Sequence, residues 1–124
     1  MNTAQVYKWT DLSSDNPIPL LERRRVIGEK VMISNVVLKT GCCVTTHAHE
    51  NEQFAVVLSG RVRFGLDAEG SSERSEVTLG AGEILFLPAN VPHSALALED
   101  TNILDVFSPP CAQTGIDHQG RNKE

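Results

Sequence analysis

The sequence lacks any long run of apolar residues. No segment approaches the roughly 18 apolar residues that a membrane-spanning helix requires. The opening residues, MNTAQVYKWTDL, also lack the basic start and the apolar stretch of a signal peptide. These absences predict a soluble protein of the cytoplasm that has no membrane partner.

The sequence also has few basic residues, and they are scattered. Eleven Lys and Arg face sixteen Asp and Glu, so the net charge is −5, and the one dense basic group is the triplet at residues 23–25. Binding to nucleic acid needs a basic face that displaces counterions from phosphates. We therefore expect no nucleic-acid partner. Alternation along a strand predicts that Arg23 and Arg25 share one face and that Arg24 lies on the other.

Cysteine is scarce, and its spacing matches no known framework. Cys42, Cys43 and Cys111 are odd in number, and the adjacent pair does not fit a zinc ribbon or a thioredoxin-type motif. Reduced thiols are the expected state. Opposite parity sends one of Cys42 and Cys43 inward, where a thiol behaves as a small apolar side chain, so we leave both out of the predicted site.

Patterns with the helical period are scarce as well, and short strand-like runs take their place. In RVRFGL, Val62, Phe64 and Leu66 alternate with polar residues or glycine. Glycine turns separate similar runs along the chain, which predicts an all-β sandwich or barrel of about nine strands. The predicted strands are residues 21–27, 30–39, 44–49, 53–58, 61–66, 74–79, 83–87, 93–98 and 101–107.

A chain of 124 residues suits a single domain with a real core. We place one domain over residues 1–124, with the barrel at about 20–110. Pro109 and Pro110 end the last strand, because proline has no amide hydrogen for a ladder. The polar tail that follows, residues 111–124, is expected to be extended or loose, with His118 at the surface.

The stretch HAHENEQF concentrates side chains that bind metals. On a strand, His47 and His49 point to the same side, and Gln53 keeps the same parity. A second hairpin, GEILFLPANVPH, brings His93 to the start of another strand. If the hairpins meet, three histidines and one glutamine form a metal site with one or two positions left for water or substrate.

Two other features of this stretch bear on the metal site. Glu50 and Glu52 have the opposite parity to the predicted ligands, so we expect them at a solvated rim. Each histidine taken alone is better explained as an ordinary surface residue in a loop. Glycine and proline at fixed positions around all three histidines argue against that alternative.

The spacing of these residues resembles the two signature motifs of the cupin superfamily. The resemblance implies a double-stranded β-helix, or jelly-roll barrel, with a divalent metal ion in its mouth; Fe, Mn, Ni and Zn are all compatible with the donors. The motifs are Gly41-x5-His47-x-His49-x3-Gln53-x6-Gly60 and Gly82-x5-Pro88-x-Asn90-x2-His93.

The chain departs from the commonest cupin pattern at three positions. Asn90 replaces a glycine, and asparagine tolerates the positive φ that this turn needs. Ala97 replaces an asparagine. Gln53 replaces a glutamate, and a neutral amide leaves the ion with its full charge, which favours an anionic substrate.

The last strand, NILDVFSPP, carries the candidate catalytic residues. Ile103, Asp105 and Phe107 share one face by alternation, so the carboxylate of Asp105 lies between apolar neighbours. Loss of solvation raises the pKa of such a group and suits it to general acid or base chemistry. The alternative is a structural aspartate that caps a turn or pairs with an arginine such as Arg25.

The segment DVFSP, together with the EQ pair of the first motif, is similar to one cupin branch. These small pectin-degradation cupins convert 4,5-unsaturated uronates to linear keto-uronates. The resemblance implies that Asp105 transfers the proton and that Phe107 shapes the pocket. It weakens after Pro110, where the branch has an arginine-led acidic tail and this chain has Cys111, Ala112 and Gln113.

The resemblance leaves three functional hypotheses. The first is a metal-dependent enzyme of isomerase or lyase type that acts on a small anionic substrate, most concretely by opening the ring of unsaturated uronates. The second is a cupin dioxygenase that uses Fe(II) or a similar metal. The third is a cupin that binds a ligand without turnover.

The strand after Gln53 also predicts a partner. Ala55 and Val57 should face the interior, which leaves Phe54, Val56 and Leu58 on the outer face. An apolar outer face is covered either by the N-terminal residues 6–12 or by a second subunit. We expect a homodimer.

Overall fold

The structure, a computed structural model, describes residues 3–111 and 114–118 and consists of two antiparallel sheets. The five-stranded sheet has the order β1-β2-β9-β4-β7, and the four-stranded sheet has the order β3-β8-β5-β6. The predicted all-β jelly-roll barrel is confirmed. Its strands are β1 (Leu21–Ile27), β2 (Met32–Leu38), β3 (Cys43–His47), β4 (Glu52–Ser59), β5 (Arg61–Leu66), β6 (Ser75–Gly80), β7 (Ile84–Leu87), β8 (His93–Ala97) and β9 (Thr101–Ser108).

The described residues contain two helices, both single 3-10 turns, at Trp9–Asp11 and Ile116–His118. Neither approaches the length and apolar character that crossing a bilayer requires.

Alternation along the strands decides which side chains enter the barrel. In β2 and β9 every second residue is buried, so Ser34 and Asp105 both face inward. The ladder sets Ser34 opposite Asp105, and it sets Phe107 opposite Gln53 of β4. Residues opposite each other on the same face of a sheet have Cβ atoms about 5 Å apart. The register therefore gathers Gln53, Asp105 and Phe107 at one end of the barrel.

The tight turns between strands depend on a few backbone conformations. Gly60 joins β4 to β5 with φ +89, and a Cβ there would overlap the backbone of Asp100 and Thr101. Only glycine fits this turn without a shift of its neighbours. Asn90 has φ +67, as the sequence allows for asparagine at this position.

Strand β3 is shorter than the sequence predicts. The expected strand over residues 44–49 ends at His47, and its register against β8 shifts between Val44 and His47. The backbone beyond His47 is bound elsewhere: the amide of Asn90 donates to the carbonyl of His49 at 2.8 Å. His49 therefore lies in a loop, and its approach to His47 comes from the shape of that loop rather than from strand parity.

Arg23 is buried inside the barrel between two carboxylates. Its side chain is 3% exposed, and Nε and Nη2 donate to Asp15 at 3.1 and 2.7 Å. Nη1 and Nη2 donate to Asp117 at 3.1 and 2.8 Å. A buried charge is tolerated when it is paired and hydrogen-bonded in this way.

The described part of the polar tail is packed on the barrel instead of being loose. We call residues 114–118 the strap. Within it, Thr114 is buried and Ile116 packs against the core. A Cβ at Gly115, which has φ +86, would overlap the imidazole of His47. The reason for the difference is Arg23, whose buried charge attracts Asp117. Residues 112–113 and 119–124 lie outside the described residues.

Acid is expected to remove the stabilisation that comes from Arg23. The hydrogen bond from Arg23 lowers the pKa of Asp15 below its ordinary value of 3.8. Burial opposes ionisation of Asp117, but the hydrogen bond and charge of Arg23 outweigh it, so the pKa of Asp117 is also below 3.8. A carboxylate with a lowered pKa binds fewer protons folded than unfolded, so its contribution is complete above 3.8 and is lost as the pH falls through the folded pKa.

The Asp117→Asn variant lacks one of these two contributions. Its free energy of unfolding, measured with urea, should therefore fall less steeply than that of the wild type as the pH drops below about 4. Asp11→Asn, a change at an exposed carboxylate, is the control and should follow the wild type. Equal slopes for Asp117→Asn and the wild type would contradict the role of the Arg23 ion pair.

Candidate metal centre

Three histidines meet at the end of the barrel. His47 ends β3 and lies directly opposite His93, the first residue of β8, while His49 reaches the same point from the loop. The nearest ring centroids, those of His47 and His93, are 4.4 Å apart. The potential ligand nitrogens of all three lie within 4.8 Å of one another, close enough for the three side chains to be candidate ligands of one metal ion.

Backbone carbonyls orient all three rings. The Nδ1 atoms of His47 and His93 are each 2.9 Å from a carbonyl, those of Thr45 and Val91, and Nδ1 of His49 is 3.1 Å from that of Asn51. A carbonyl oxygen can only accept a hydrogen bond, so we assign the proton of each ring to Nδ1. The three Nε2 atoms keep their lone pairs for a ligand, as in metal-binding histidines.

Burial keeps these rings neutral. Desolvation lowers the pKa of His47 and of His49 below the ordinary value, and it lowers the pKa of His93 to about 4. The imidazoles are therefore unprotonated at neutral pH. Metal ions bind the neutral form of the ring, so protons do not compete for the site in this range.

Gln53 links the histidines to Asp105. Its amide nitrogen donates to Oδ1 of Asp105 at 2.9 Å, and this directs its Oε1 at Nε2 of His49, 3.1 Å away. Because the proton of His49 is on Nδ1, Nε2 of His49 and Oε1 of Gln53 both carry lone pairs and repel each other. A cation bound to both atoms would relieve this repulsion. Two ligands of one ion at right angles are about 3.0 Å apart. Three imidazole nitrogens and this amide oxygen thus fit a divalent metal ion.

Asp105 is a buried carboxyl group beside this donor set. Burial raises its pKa to about 7, and the hydrogen bond from Gln53 acts in the opposite direction. A divalent cation at the histidines would lower this pKa again, because it stabilises the charged form. Phe107, also buried, packs edge-on against His49 with the ring centroids 5.7 Å apart. Asp105 therefore lies close to the candidate metal position without belonging to the donor set.

A small cavity of about 40 Å³ lies among these side chains. The strap closes one side of it, so the cavity is bounded by strands and strap together. The wall residues that concern the site are His47, Gln53, His93, Asp105, Phe107, Thr114 and Ile116.

Most of the predicted site residues meet at this cavity, and the expected bystanders lie outside it. Glu50 and Glu52 are exposed. Cys42 is buried and Cys43 exposed, and neither belongs to the histidine cluster. Arg23 and Arg25 both approach Asp15, while Arg24 donates to the carbonyl of Leu12, in agreement with the predicted alternation.

Sequence reasoning missed residues that support the site without a motif of their own. Asn51 is buried, its carbonyl orients His49, and its side-chain amide donates to the carbonyl of Pro109. Ser34 lies opposite Asp105, and its buried hydroxyl has no hydrogen-bond partner within the part of the chain that the structure describes. For Asn51, the one indication in the sequence is its position between Glu50 and Glu52 of the first motif. Nothing local indicates Ser34 or the strap.

Comparisons with known proteins agree on the fold. Residues 34–107 match the model of the cupin domain family. Oxalate decarboxylase OxdC of Bacillus subtilis (strain 168) is 32% identical over 79 residues, which are 63% of this chain. The chain spans only 20% of the length of that curated relative.

Solved structures superpose over most of the chain. The structure of KdgF from Halomonas sp. gives a TM-score of 0.79 at 24% identity, over 89% of this chain and 97% of KdgF. A structure of Bacillus subtilis oxalate decarboxylase, described with Mn(II) centres, gives 0.74 at 23% identity, over 87% of this chain and 30% of that one. At these identities the superpositions establish the fold.

Loss of one imidazole is expected to abolish tight metal binding. In His93→Ala the affinity for Mn(II) or Zn(II) should fall at least about 100-fold, because changes to outer-shell partners alone cost 10 to 100-fold. Isothermal titration calorimetry and elemental analysis of the loaded protein measure this. Cys43→Ala, at an exposed thiol outside the histidine cluster, is the control and should bind as the wild type does. Equal affinity in His93→Ala would remove this residue from the donor set.

Proposed function

The chain belongs to the cupin family, and we propose that it is a metal-dependent cupin enzyme that acts on a small anionic substrate, most concretely by opening the ring of unsaturated uronates. The observation that carries the proposal is the contact of Gln53 with His49 on one side and Asp105 on the other. It joins a donor set for a metal ion to a buried acid. The uronate version is supported by the similarity of the DVFSP segment and the EQ pair to the pectin-degradation cupins.

His47, His49, Gln53 and His93 would hold the metal ion. Bound there, a divalent ion supplies Lewis acidity to oxygen atoms of the substrate. All four donors are neutral, so the site keeps the full charge of the ion available to an anion. Fe, Mn, Ni and Zn all suit these donors, and the Mn(II) centres named for the oxalate decarboxylase make Mn(II) the first ion to test.

Asp105 has the properties that ring opening requires. In a 4,5-unsaturated uronate the anomeric hydroxyl loses a proton, the bond between the anomeric carbon and the ring oxygen breaks to give an aldehyde and an enolate, and the enolate takes a proton on carbon and becomes a ketone. Atoms and electrons balance, since the reaction is an isomerisation. Asp105, a buried carboxyl group that accepts a hydrogen bond from the amide of Gln53, would accept the first proton and deliver the second. Phe107, which also lines the cavity, would shape the pocket.

The sequence match to oxalate decarboxylase favours a second candidate function. A small dicarboxylate such as oxalate would bind the same metal ion, lose carbon dioxide and take a proton from Asp105 at the carbon left behind. Formate and carbon dioxide produced from oxalate by the Mn(II)-loaded protein would support this candidate. Turnover of unsaturated uronates with no reaction on oxalate would remove it.

Replacement of Asp105 is expected to stop turnover and leave the metal bound. In Asp105→Asn, kcat on unsaturated galacturonate should fall at least about 100-fold, the typical contribution of a positioned acid or base. Metal content should match the wild type. Asp100→Asn, at an exposed aspartate of a turn, is the control and should keep full activity. Undiminished kcat in Asp105→Asn would exclude the proton-transfer role.

We also propose that the protein is a homodimer. The outer face of the five-stranded sheet exposes Phe54, Phe86 and Ile84 by 44%, 45% and 61%. The N-terminal segment is itself exposed, with Val6 at 93%, so a second copy is the partner that we propose for this face.

Light scattering should give twice the 13.5 kDa of the chain at micromolar concentration. Phe86→Glu should convert the dimer to a monomer. Val77→Glu changes an apolar residue of similar exposure on the other sheet, so that variant should remain dimeric. A monomeric wild type would refute the dimer.

A further inference from the structure

The strap spans the seam between the two sheets. β1 is the outer strand of the five-stranded sheet, and β3 is the outer strand of the four-stranded sheet. On one side Gly115 lies against His47 of β3, and on the other Asp117 is bound to Arg23 of β1. The strap therefore closes the barrel at the place where the two sheets part.

The closed strap leaves too little room for a substrate. Thr114 and Ile116 form part of the cavity wall, and the cavity measures about 40 Å³. A cavity of about 150 Å³ is the size that accepts a benzene ring. A sugar acid is larger than benzene, so this cavity cannot hold one while the strap is closed.

Movement of the strap would expose one particular group, the guanidinium of Arg23. Asp15 binds its Nε and Nη2 atoms, and Asp117 binds Nη1 and Nη2. Without Asp117, Asp15 still orients the guanidinium. The N–H groups of Nη1 and Nη2 that pointed at Asp117 then become available to another acceptor. A planar pair of N–H donors in a buried place is the preferred receptor for a carboxylate.

The position of Arg23 also suits a substrate that reaches the metal site. Arg23 and Leu21 are successive inward positions of β1, and Leu21 lines the cavity. Gly115 packs on His47 and Asp117 on Arg23, and these two strap residues are at most about 7.6 Å apart, or two Cα steps. The same short segment of the strap therefore contacts both a candidate metal ligand and the guanidinium.

We propose that Arg23 is the docking point for the carboxylate of the substrate and that Asp117 occupies this point while the strap is closed. The inference rests on the proposed function in one respect, the anionic nature of the substrate. The substrate carboxylate replaces the carboxylate of Asp117 on the guanidinium of Arg23. Substrate binding and strap opening are therefore coupled, because both require Asp117 to leave Arg23.

Removal of the competing carboxylate tests this exchange. The metal-loaded full chain is titrated with D-galacturonate, a stable uronate, in wild type, Asp117→Asn and Asp15→Asn. Only molecules with an open strap bind the ligand, so the apparent affinity of the wild type is lowered in proportion to the fraction that is open. Asp117→Asn should raise that fraction and bind D-galacturonate about three- to tenfold more tightly. Asp15→Asn removes an ion pair from the same guanidinium without vacating the docking point, so its affinity should be equal or lower.

Two further readouts separate docking from a merely structural ion pair. Amide hydrogen exchange in residues 114–118 should increase in Asp117→Asn without ligand, and in the wild type when D-galacturonate is added. With unsaturated galacturonate the change should fall on KM and not on kcat. Arg23→Lys keeps the charge but loses the paired donors, so it should bind at least about tenfold more weakly.

Each outcome decides the proposal. Equal or weaker binding by Asp117→Asn, or no binding of D-galacturonate by any variant, overturns the docking role of Arg23. Tighter binding in Asp117→Asn without turnover of unsaturated galacturonate supports docking and refutes the proposed reaction. Turnover with the same KM in wild type and Asp117→Asn refutes docking and leaves the reaction standing.

Discussion

The amide of Gln53 is the contact on which the rest of the site depends. Its oxygen faces His49 and its nitrogen donates to Asp105, so one side chain serves both the donor set and the acid. A carboxylate in its place would set two acceptors against Asp105 and His49 with no proton to offer either at neutral pH. The ladder between β4 and β9 fixes this contact, because a slip of β4 by one residue would turn Gln53 out of the barrel and away from Asp105.

The interior of the barrel has an electrostatic character that differs from that of its surface. The chain carries a net charge of −5, yet its interior holds Arg23 and a set of neutral metal donors. While the strap is closed, Asp15 and Asp117 balance Arg23. When the strap opens, Arg23 keeps Asp15 as its partner and loses Asp117, so part of the guanidinium becomes free for another carboxylate. An anionic substrate then meets both a metal ion and a guanidinium inside an otherwise acidic protein.

Much of this arrangement could be predicted from the sequence, because it depends on local pattern. Alternation of apolar residues gives the nine strands, and the parity of β4 and β9 sends Gln53 and Asp105 inward. The fixed spacing of glycines, proline and histidines indicates the cupin barrel and its metal site. These features involve neighbours in the chain or a repeated pattern, both of which a single sequence displays.

The remaining features depend on pairs of residues that are far apart in the chain. Arg23 and Asp117 are 94 positions apart, and neither has a local pattern that indicates the other. The tail therefore looks like an ordinary polar segment until the barrel shows a buried arginine beneath it. The position of His49 also depends on a distant residue, because the backbone amide of Asn90, in another hairpin, donates to the carbonyl of His49.

The reaction itself provides the most direct test of this account. The metal-loaded protein is incubated with unsaturated galacturonate, with and without oxygen, and the products are followed by proton NMR. The account predicts a linear keto-uronate, formed at the same rate with and without oxygen and lost when the metal is removed. Unchanged substrate, or a product that forms only with oxygen, would contradict it.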